Sequence, residues 1–306
     1  MTTLHPTHTQ AQRLRADASL VLVAAVWGSA FVAQRMAAEE IGPFAFNAAR
    51  FVVGAAVLVP IVVRSRPRRA LENARRAGAL LGVLLFGGAA LQQIGLQETT
   101  AGKAGFITGL YIVIVPLLLR LVWRERGQRA HWIGAGVATT GLFLLSVQSD
   151  FQMAPGDGWV LLSAIVWSLH VIAIGRVAPR QDAAALALVQ YLTCSALSAA
   201  AALGVERDLL ANTVATWPEI AYTGVLSIGL GYTLQVRAQR HTPPSHAAIL
   251  LSLESVFAAL FGWLWLAETL SPQQVAGCGL MLAGMGLAQA QVFRQTQVGG
   301  EAGERA

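Results

Sequence analysis

The chain has 306 residues, of which 55% are hydrophobic and 12% charged, with a net charge of +6. Soluble chains carry roughly 25% charged residues, so this composition excludes an ordinary water-soluble domain, and so much apolar surface excludes disorder. The basic residues sit in short gaps between apolar runs, which excludes a nucleic-acid-binding face and leaves an all-α polytopic membrane protein.

Ten apolar stretches are long enough to span a bilayer as helix: about 18–38, 43–63, 76–96, 101–122, 131–148, 157–176, 183–203, 217–236, 244–266 and 272–293. Gly42-Pro43, Pro155-Gly156, Pro243-Pro244 and Ser271-Pro272 mark breaks between them. Runs such as Phe51 to Val63 are continuously apolar, without the alternation of barrel strands. Arginines alternate between the segments. They fill the N-tail (Arg13, Arg15), the second loop (Arg64, Arg66, Arg68, Arg69, Arg75, Arg76), the fourth (Arg120, Arg124, Arg126, Arg129), the sixth (Arg176, Arg180), the eighth (Arg237, Arg240) and the C-tail (Arg294, Arg305). The intervening loops hold only Lys103 and Arg207 among cations, with acids such as Glu39, Glu98, Asp150, Asp157 and Asp208. By the positive-inside rule both termini are cytoplasmic. The first stretch is longer than the core of a cleavable signal and reads as a signal anchor. Cys194 and Cys278 both fall within spans and read as small packing residues.

The chain repeats itself. Ala25-Val26-Trp27-Gly28-Ser29 answers Ile165-Val166-Trp167-Ser168-Leu169; Thr99-Thr100-Ala101 answers His241-Thr242-Pro243; Gly134 and Gly141 answer Gly277 and Gly284. Five spans is an odd number, so the second copy enters the membrane inverted, an architecture of secondary transporters that alternate access to a midplane site. The division is a tail at 1–17, a first five-helix repeat at 18–148, an extracytoplasmic connector at 149–156, a second five-helix repeat at 157–293 and a tail at 294–306.

Four stretches resemble the drug/metabolite transporter superfamily in its EamA-type ten-helix branch. They are Trp27-Gly28-Ser29-Ala30-Phe31-Val32, Phe46-Asn47-Ala48-Ala49-Arg50-Phe51, the run from Thr99 to Tyr111, and Leu253-Glu254-Ser255-Val256-Phe257 followed by Glu268. Ser255 stands where that family usually has proline. The resemblance implies a central cavity lined by helices one to four and six to nine, with the fifth and tenth outside it. It also implies export of small metabolites, with the YddG-type exporters of aromatic and other neutral amino acids as the nearest group.

Polar residues inside spans face a cavity or a partner. Glu254, the deepest acid, suits a substrate ammonium or a proton, or is a carboxylate fixed by its neighbours, with Ser252 on the same helix. His170 reads as cavity-lining or as a packed histidine, and His246 likewise. Trp27 and Trp167, equivalent in the two halves, suit stacking on a substrate or helix packing. Gln92, Gln93, Thr108, Tyr111, Tyr232 and Gln235 suit a zwitterion or a neutral polar solute. Arg35, Arg50 and Lys103, toward the extracellular ends, read as able to bind a carboxylate or, in preference, as snorkelling to the interface. Trp123, Trp132, Trp159 and Trp217 lie near span ends and read as interfacial anchors.

The expected function is secondary transport of small neutral or zwitterionic metabolites across the cell's inner (plasma) membrane, most of all export of aromatic and other neutral amino acids. A drug, amine or nucleoside exporter is the alternative. An intramembrane enzyme, for which Ser29 and His170 are the conceivable pair, is a distant one, as is a non-transporting regulator. No cofactor is expected, since no phosphate-binding G-x-x-x-x-G-K-[ST] loop and no metal-ligand spacing occur. The expected partners are a small-molecule substrate and the lipid bilayer, in a monomer or weak homo-oligomer.

Overall fold

The computed structural model describes residues 10–65, 68–125, 129–146, 154–207, 209–266 and 271–303. The expectations placed on 1–9, 149–153, Arg66, Arg126, Asp150, Asp208, Glu268 and Arg305 lie outside the described residues. All regular structure among the described residues is helical.

Helix α1 (Gln10–Glu40) is followed by α2 (Pro43–Ser65) and α3 (Arg68–Gln97). Two pieces, α4 (Ala101–Gly109) and α5 (Tyr111–Leu121), follow one another across Leu110, and α6 (Arg129–Ser146) closes the first half. The second half starts with α7 (Pro155–Val177), a 3₁₀ turn (Ala178–Arg180) and α8 (Ala183–Val205). Then come α9 (Leu209–Ala215), α10 (Trp217–Tyr222), a π-helical segment (Thr223–Tyr232) and α11 (Thr233–Ala238). The pieces α12 (Pro244–Leu251) and α13 (Glu254–Leu266) are separated by Ser252-Leu253, and α14 (Pro272–Gly303) comes last. Helices α1 and α3 extend beyond their apolar stretches, so Arg13, Arg68 and Arg75 lie on helix rather than in tail or loop.

Among the described residues, seven helices are long and apolar enough to cross a membrane. The stretches expected at 217–236 and 272–293, and the described part of 131–148, are also helical but are not among those seven. Large apolar side chains face outward, with Leu203 at 76% and Val63 at 72% exposure, a surface suited to lipid.

Much of the packing is matched when the two halves are exchanged. Helix α3 packs on α8 as the π segment packs on α2, and α3 packs on α7 as the π segment packs on α1. Helices α4 and α5 both pack on α7, as α12 and α13 both pack on α1. Helix α6 packs on α14 through reciprocal glycines: a Cβ on Gly141 would lie 2.5 Å from Gly277 O, and one on Gly284 would lie 2.6 Å from Gly134 O. That crossed pairing makes α6 and α14 antiparallel. The glycines let the two backbones touch, the way small residues act between helices in lipid.

Acids cap the starts of α8 and α2. Asp182 accepts from the amides of Ala184 and Ala185 at the start of α8. The equivalent position before α2 is Gly42, which has no side chain to cap with. Glu206, from the far end of α8, reaches across instead and accepts from Phe44 N and Ala45 N, both at 2.8 Å. A second tie between α2 and α8 is the Ser195 hydroxyl, which donates to Ala48 O at 2.9 Å.

Substituting leucine at Gly141 or Gly284 is expected to lower stability by about 1–3 kcal/mol, the usual effect of overpacking. Thermal unfolding in detergent checks this, and an unchanged midpoint would contradict the close α6–α14 contact.

Candidate functional site

A cavity lies between the halves. Its wall is formed by Trp27, Phe31 and Gln34 of α1, Arg50 of α2, Gln92 of α3, Thr108 and Tyr111 of α4 and α5, Trp167, His170 and Val171 of α7, Ser227 and Tyr232 of the π segment, Gln235 of α11, Leu251 of α12 and Glu254 of α13. Most of the wall comes in repeat-related pairs. Trp27 and Trp167, like Phe31 and Val171, are 140 residues apart; Gln92 and Gln235, Thr108 and Leu251, and Tyr111 and Glu254 are 143 apart.

The two broken helices meet at this wall. The chain tightens at Leu110, whose N–H bonds Ile107 O, and again at Leu253, whose N–H bonds Leu250 O. Each break leaves its next residue at the start of a new helix, Tyr111 for α5 and Glu254 for α13. The Tyr111 hydroxyl donates to Glu254 Oε1 at 3.0 Å, joining the halves. A carboxylate in a helix's first turn also meets the positive end of the helix dipole. Ser255 donates its hydroxyl to Gly105 O at 2.8 Å, and the break persists without the proline usual there.

Tyr232 is the centre of an aromatic cluster. Its ring lies 4.6 Å from that of Trp27, 6.0 Å from Trp167, 6.1 Å from His170 and 6.3 Å from Phe51. The indole of Trp167 donates to Gln92 Oε1 at 2.9 Å and that of Trp27 to Ser227 O at 3.2 Å. Glycines clear the space: a Cβ on Gly88 would lie 2.8 Å from the Trp167 ring, and one on Gly231 would lie 2.7 Å from Trp27 Nε1. The π segment turns Ser227 O and Ile228 O to side-chain donors, the latter taking the Tyr191 hydroxyl at 2.9 Å. Such segments recur at functional sites.

Nine of the eleven residues singled out from the sequence line this one cavity: Trp27, Gln92, Thr108, Tyr111, Trp167, His170, Tyr232, Gln235 and Glu254. Gln93 and Ser252 lie beside it. Gln93 faces α1 and donates to Gln34 O at 2.9 Å, and the Ser252 hydroxyl turns back onto Ile249 O at 2.8 Å. The sequence reading missed Gln34, Phe31, Val171, Ser227 and Leu251 on the wall, and it preferred snorkelling over carboxylate binding for Arg50. Arg50 does not snorkel. It is buried at 3% exposure, with Nε on Asn47 Oδ1 at 2.9 Å, Nη1 on Gln34 Oε1 at 2.8 Å, and its guanidinium over the Phe46 and Phe51 rings. Asn47, one turn before Arg50 on α2, is the sequence signal for that burial. Lys103 does not snorkel freely either: its ammonium lies 3.8 Å from Asp157. Arg35 stays at the surface, paired with Glu39 at 3.2 Å. Ser29 and His170 are not partners. Ser29 bonds the Tyr222 hydroxyl at 2.6 Å, while His170 Nε2 bonds Gln190 Oε1 at 3.1 Å.

Several wall atoms are buried without a protein partner: Thr108 Oγ1, His170 Nδ1 and both amide atoms of Gln235. Unpaired buried polar groups are rare and call for a ligand or water. In this state the cavity has room for about three water molecules, so a solute of amino-acid size requires it to widen.

A family model described as the EamA-like transporter family matches the chain twice, over residues 14–147 and 154–288. The chain belongs to the EamA-like transporter family. It is 32% identical over 271 residues to an uncharacterized transporter of Archaeoglobus fulgidus, covering 89% of this chain and 84% of that protein. It is 26% identical over 274 residues to the threonine/homoserine exporter RhtA of Escherichia coli, covering 86% and 87%. A solved crystal structure shares the fold at a TM-score of 0.73 and 19% identity, over 92% of this chain and 98% of that one. The chain is thus a multi-pass membrane protein of a transporter family.

Replacing Arg50 by leucine leaves Asn47 Oδ1 without its donor and Gln34 Oε1 with only the longer bond from Gln92 Nε2 at 3.3 Å. The expected loss is about 1–3 kcal/mol, read as a lower unfolding midpoint in detergent. Arg35→Leu, at the surface, is expected to shift it by less than about 0.5 kcal/mol.

Proposed function

We propose that this protein is a secondary carrier that exports aromatic and other neutral amino acids across the inner membrane by alternating access. In this reading it has ten membrane passes in two inverted five-helix repeats, with both termini cytoplasmic. The exchange-symmetric packing, the antiparallel α6–α14 pair and the doubled family match support the repeat.

The observation that carries the substrate class is one buried guanidinium and one buried carboxyl group on the same small wall, Arg50 from the first half and Glu254 from the second. Tyr232 is within electrostatic reach of both. An amino-acid zwitterion offers a carboxylate to the guanidinium and an ammonium to the carboxylate. Its side chain then meets the rings of Trp27, Trp167 and Tyr232. Charge held apart in this way matches a dipolar solute, whereas a polyanion finds a single cation. The related RhtA of Escherichia coli, a threonine/homoserine exporter, points to the same class. An amine exporter is the second reading, favoured by one observation: two of the Arg50 donors are already engaged by Asn47 and Gln34, leaving Glu254 as the less satisfied charge.

Counterflow in proteoliposomes without an ion gradient tests this, with Trp, Phe, Leu, Met and Thr loaded one at a time. Exchange is expected for neutral amino acids, and Glu254→Gln is expected to reduce it about tenfold or more, the effect of removing a charge partner worth ~1.4 kcal/mol. Esterifying the substrate carboxylate or acetylating its amine removes one end of the zwitterion and should abolish exchange. Exchange of the ester but not of the acetyl derivative selects the amine reading. No exchange across the panel by folded protein removes both the amino-acid assignment and its zwitterion argument.

A further inference from the structure

Two small polar clusters lie at opposite ends of the bundle. In the first, Asp157 in the opening turn of α7 accepts from Thr99 Oγ1 at 2.5 Å and lies 3.8 Å from Lys103 Nζ. Thr99 precedes α4 and Lys103 is in its first turn. In the second, Asp17 of α1 lies 3.3 Å from His246 Nε2 and 3.5 Å from Thr242 Oγ1. Thr242 precedes α12 and His246 is in its first turn.

The clusters are the same device in two copies. Asp17 and Asp157 are 140 residues apart, the spacing of Trp27 and Trp167. Thr99 and Thr242, and likewise Lys103 and His246, are 143 apart, the spacing of Tyr111 and Glu254. In each copy the first piece of a broken helix is tied to the leading helix of the opposite half. The copies are far apart. Pro244, at the start of α12, packs on Gly175 near the C-terminal end of α7, whose first turn holds Asp157. From Asp157 to Gly175 the helix rises about 27 Å, close to the thickness of a bilayer core, roughly 30 Å.

We propose that these clusters are paired latches, each closing one end of the cavity. Opening toward one face releases the latch there and tilts the first piece of that broken helix about its break, at Leu110 or at Ser252-Leu253. The other latch meanwhile holds the opposite end shut. Both latches are made in this structure, in keeping with a cavity that admits only a few waters. The latches are unequal. Asp157 also accepts from its own helix's Ala154 N at 2.8 Å, and it sits at 5% exposure. Asp17 lies along α1 and caps nothing; its side chain is 17% exposed. The proposal rests on the carrier reading, and its test therefore reads access to the cavity rather than flux.

The test places a reporter cysteine at Ser227 on the wall, in a chain whose Cys194 and Cys278 are replaced by alanine. Sealed proteoliposomes of known orientation are labelled with a membrane-impermeant maleimide from either face. Asp157→Asn is expected to raise labelling about fivefold from the face where Asp157 lies and not from the other. Asp17→Asn is expected to do the reverse. Equal effects from both faces, or none in folded protein, overturn the proposal. If either variant fails to fold, Thr99→Cys with Asp157→Cys, and Thr242→Cys with Asp17→Cys, are bridged by a short thiol crosslinker. Each bridge should block labelling from its own face only, and labelling indifferent to both overturns the latches. Mirror-image access in protein that exchanges no amino acid upholds the latches and removes only the substrate assignment.

Discussion

Inside a bilayer a carboxylate is tolerated only where the protein, or a cavity within it, gives it a partner. Glu254 meets that constraint through Tyr111, the residue at its own repeat position in the other half. The bond forms because both helices break one residue earlier, which sets two helix starts face to face. The rest of the site follows from that meeting. The cavity opens between the breaks, Thr108 and Leu251 form its wall one turn before them, and the glycines at 88 and 231 admit the two indoles on either side.

The backbone is nearly symmetric and the chemistry on it is not. The first half contributes Arg50, held by Gln34 and Asn47. The second contributes Glu254, and a neutral His170–Gln190 pair at 3.1 Å. Symmetry of the backbone gives two arrangements of comparable energy, the condition for a site that faces either way. For the zwitterion proposed above, the asymmetry of the side chains sets one orientation, with its negative end toward the first half and its positive end toward the second.

Much of this was legible in the sequence because it is periodic or locally coded. The apolar stretches mark the helices, the Trp27–Trp167 match marks the repeat, and polar residues inside apolar runs mark the wall. What escaped depends on contacts between distant elements. Arg50 reads as a residue near a span end until Gln34 of a neighbouring helix is seen beside it. Gln92 and Gln93 are adjacent in sequence, but successive helical residues point about 100° apart, so one reaches the cavity and the other the back of α1. Ser252, read as a partner to Glu254 on the same helix, has a short side chain that bonds the preceding turn instead. The π segment has no local code of its own. It exists because Trp27 and Tyr191 supply donors to carbonyls that an ordinary helix would occupy.

The cap of α2 has a mechanical consequence. The amides of Phe44 and Ala45 are satisfied only by Glu206, a residue of the other half. Drawing α8 away from α2 strips those amides and exposes a carboxylate at the same moment. The Ser195–Ala48 bond and the Phe51–Tyr191 ring contact fasten the same two helices further along their length. Helices α2 and α8 are therefore fastened to each other along their length, and in the carrier proposed above they form an axle for the helices hung on either side.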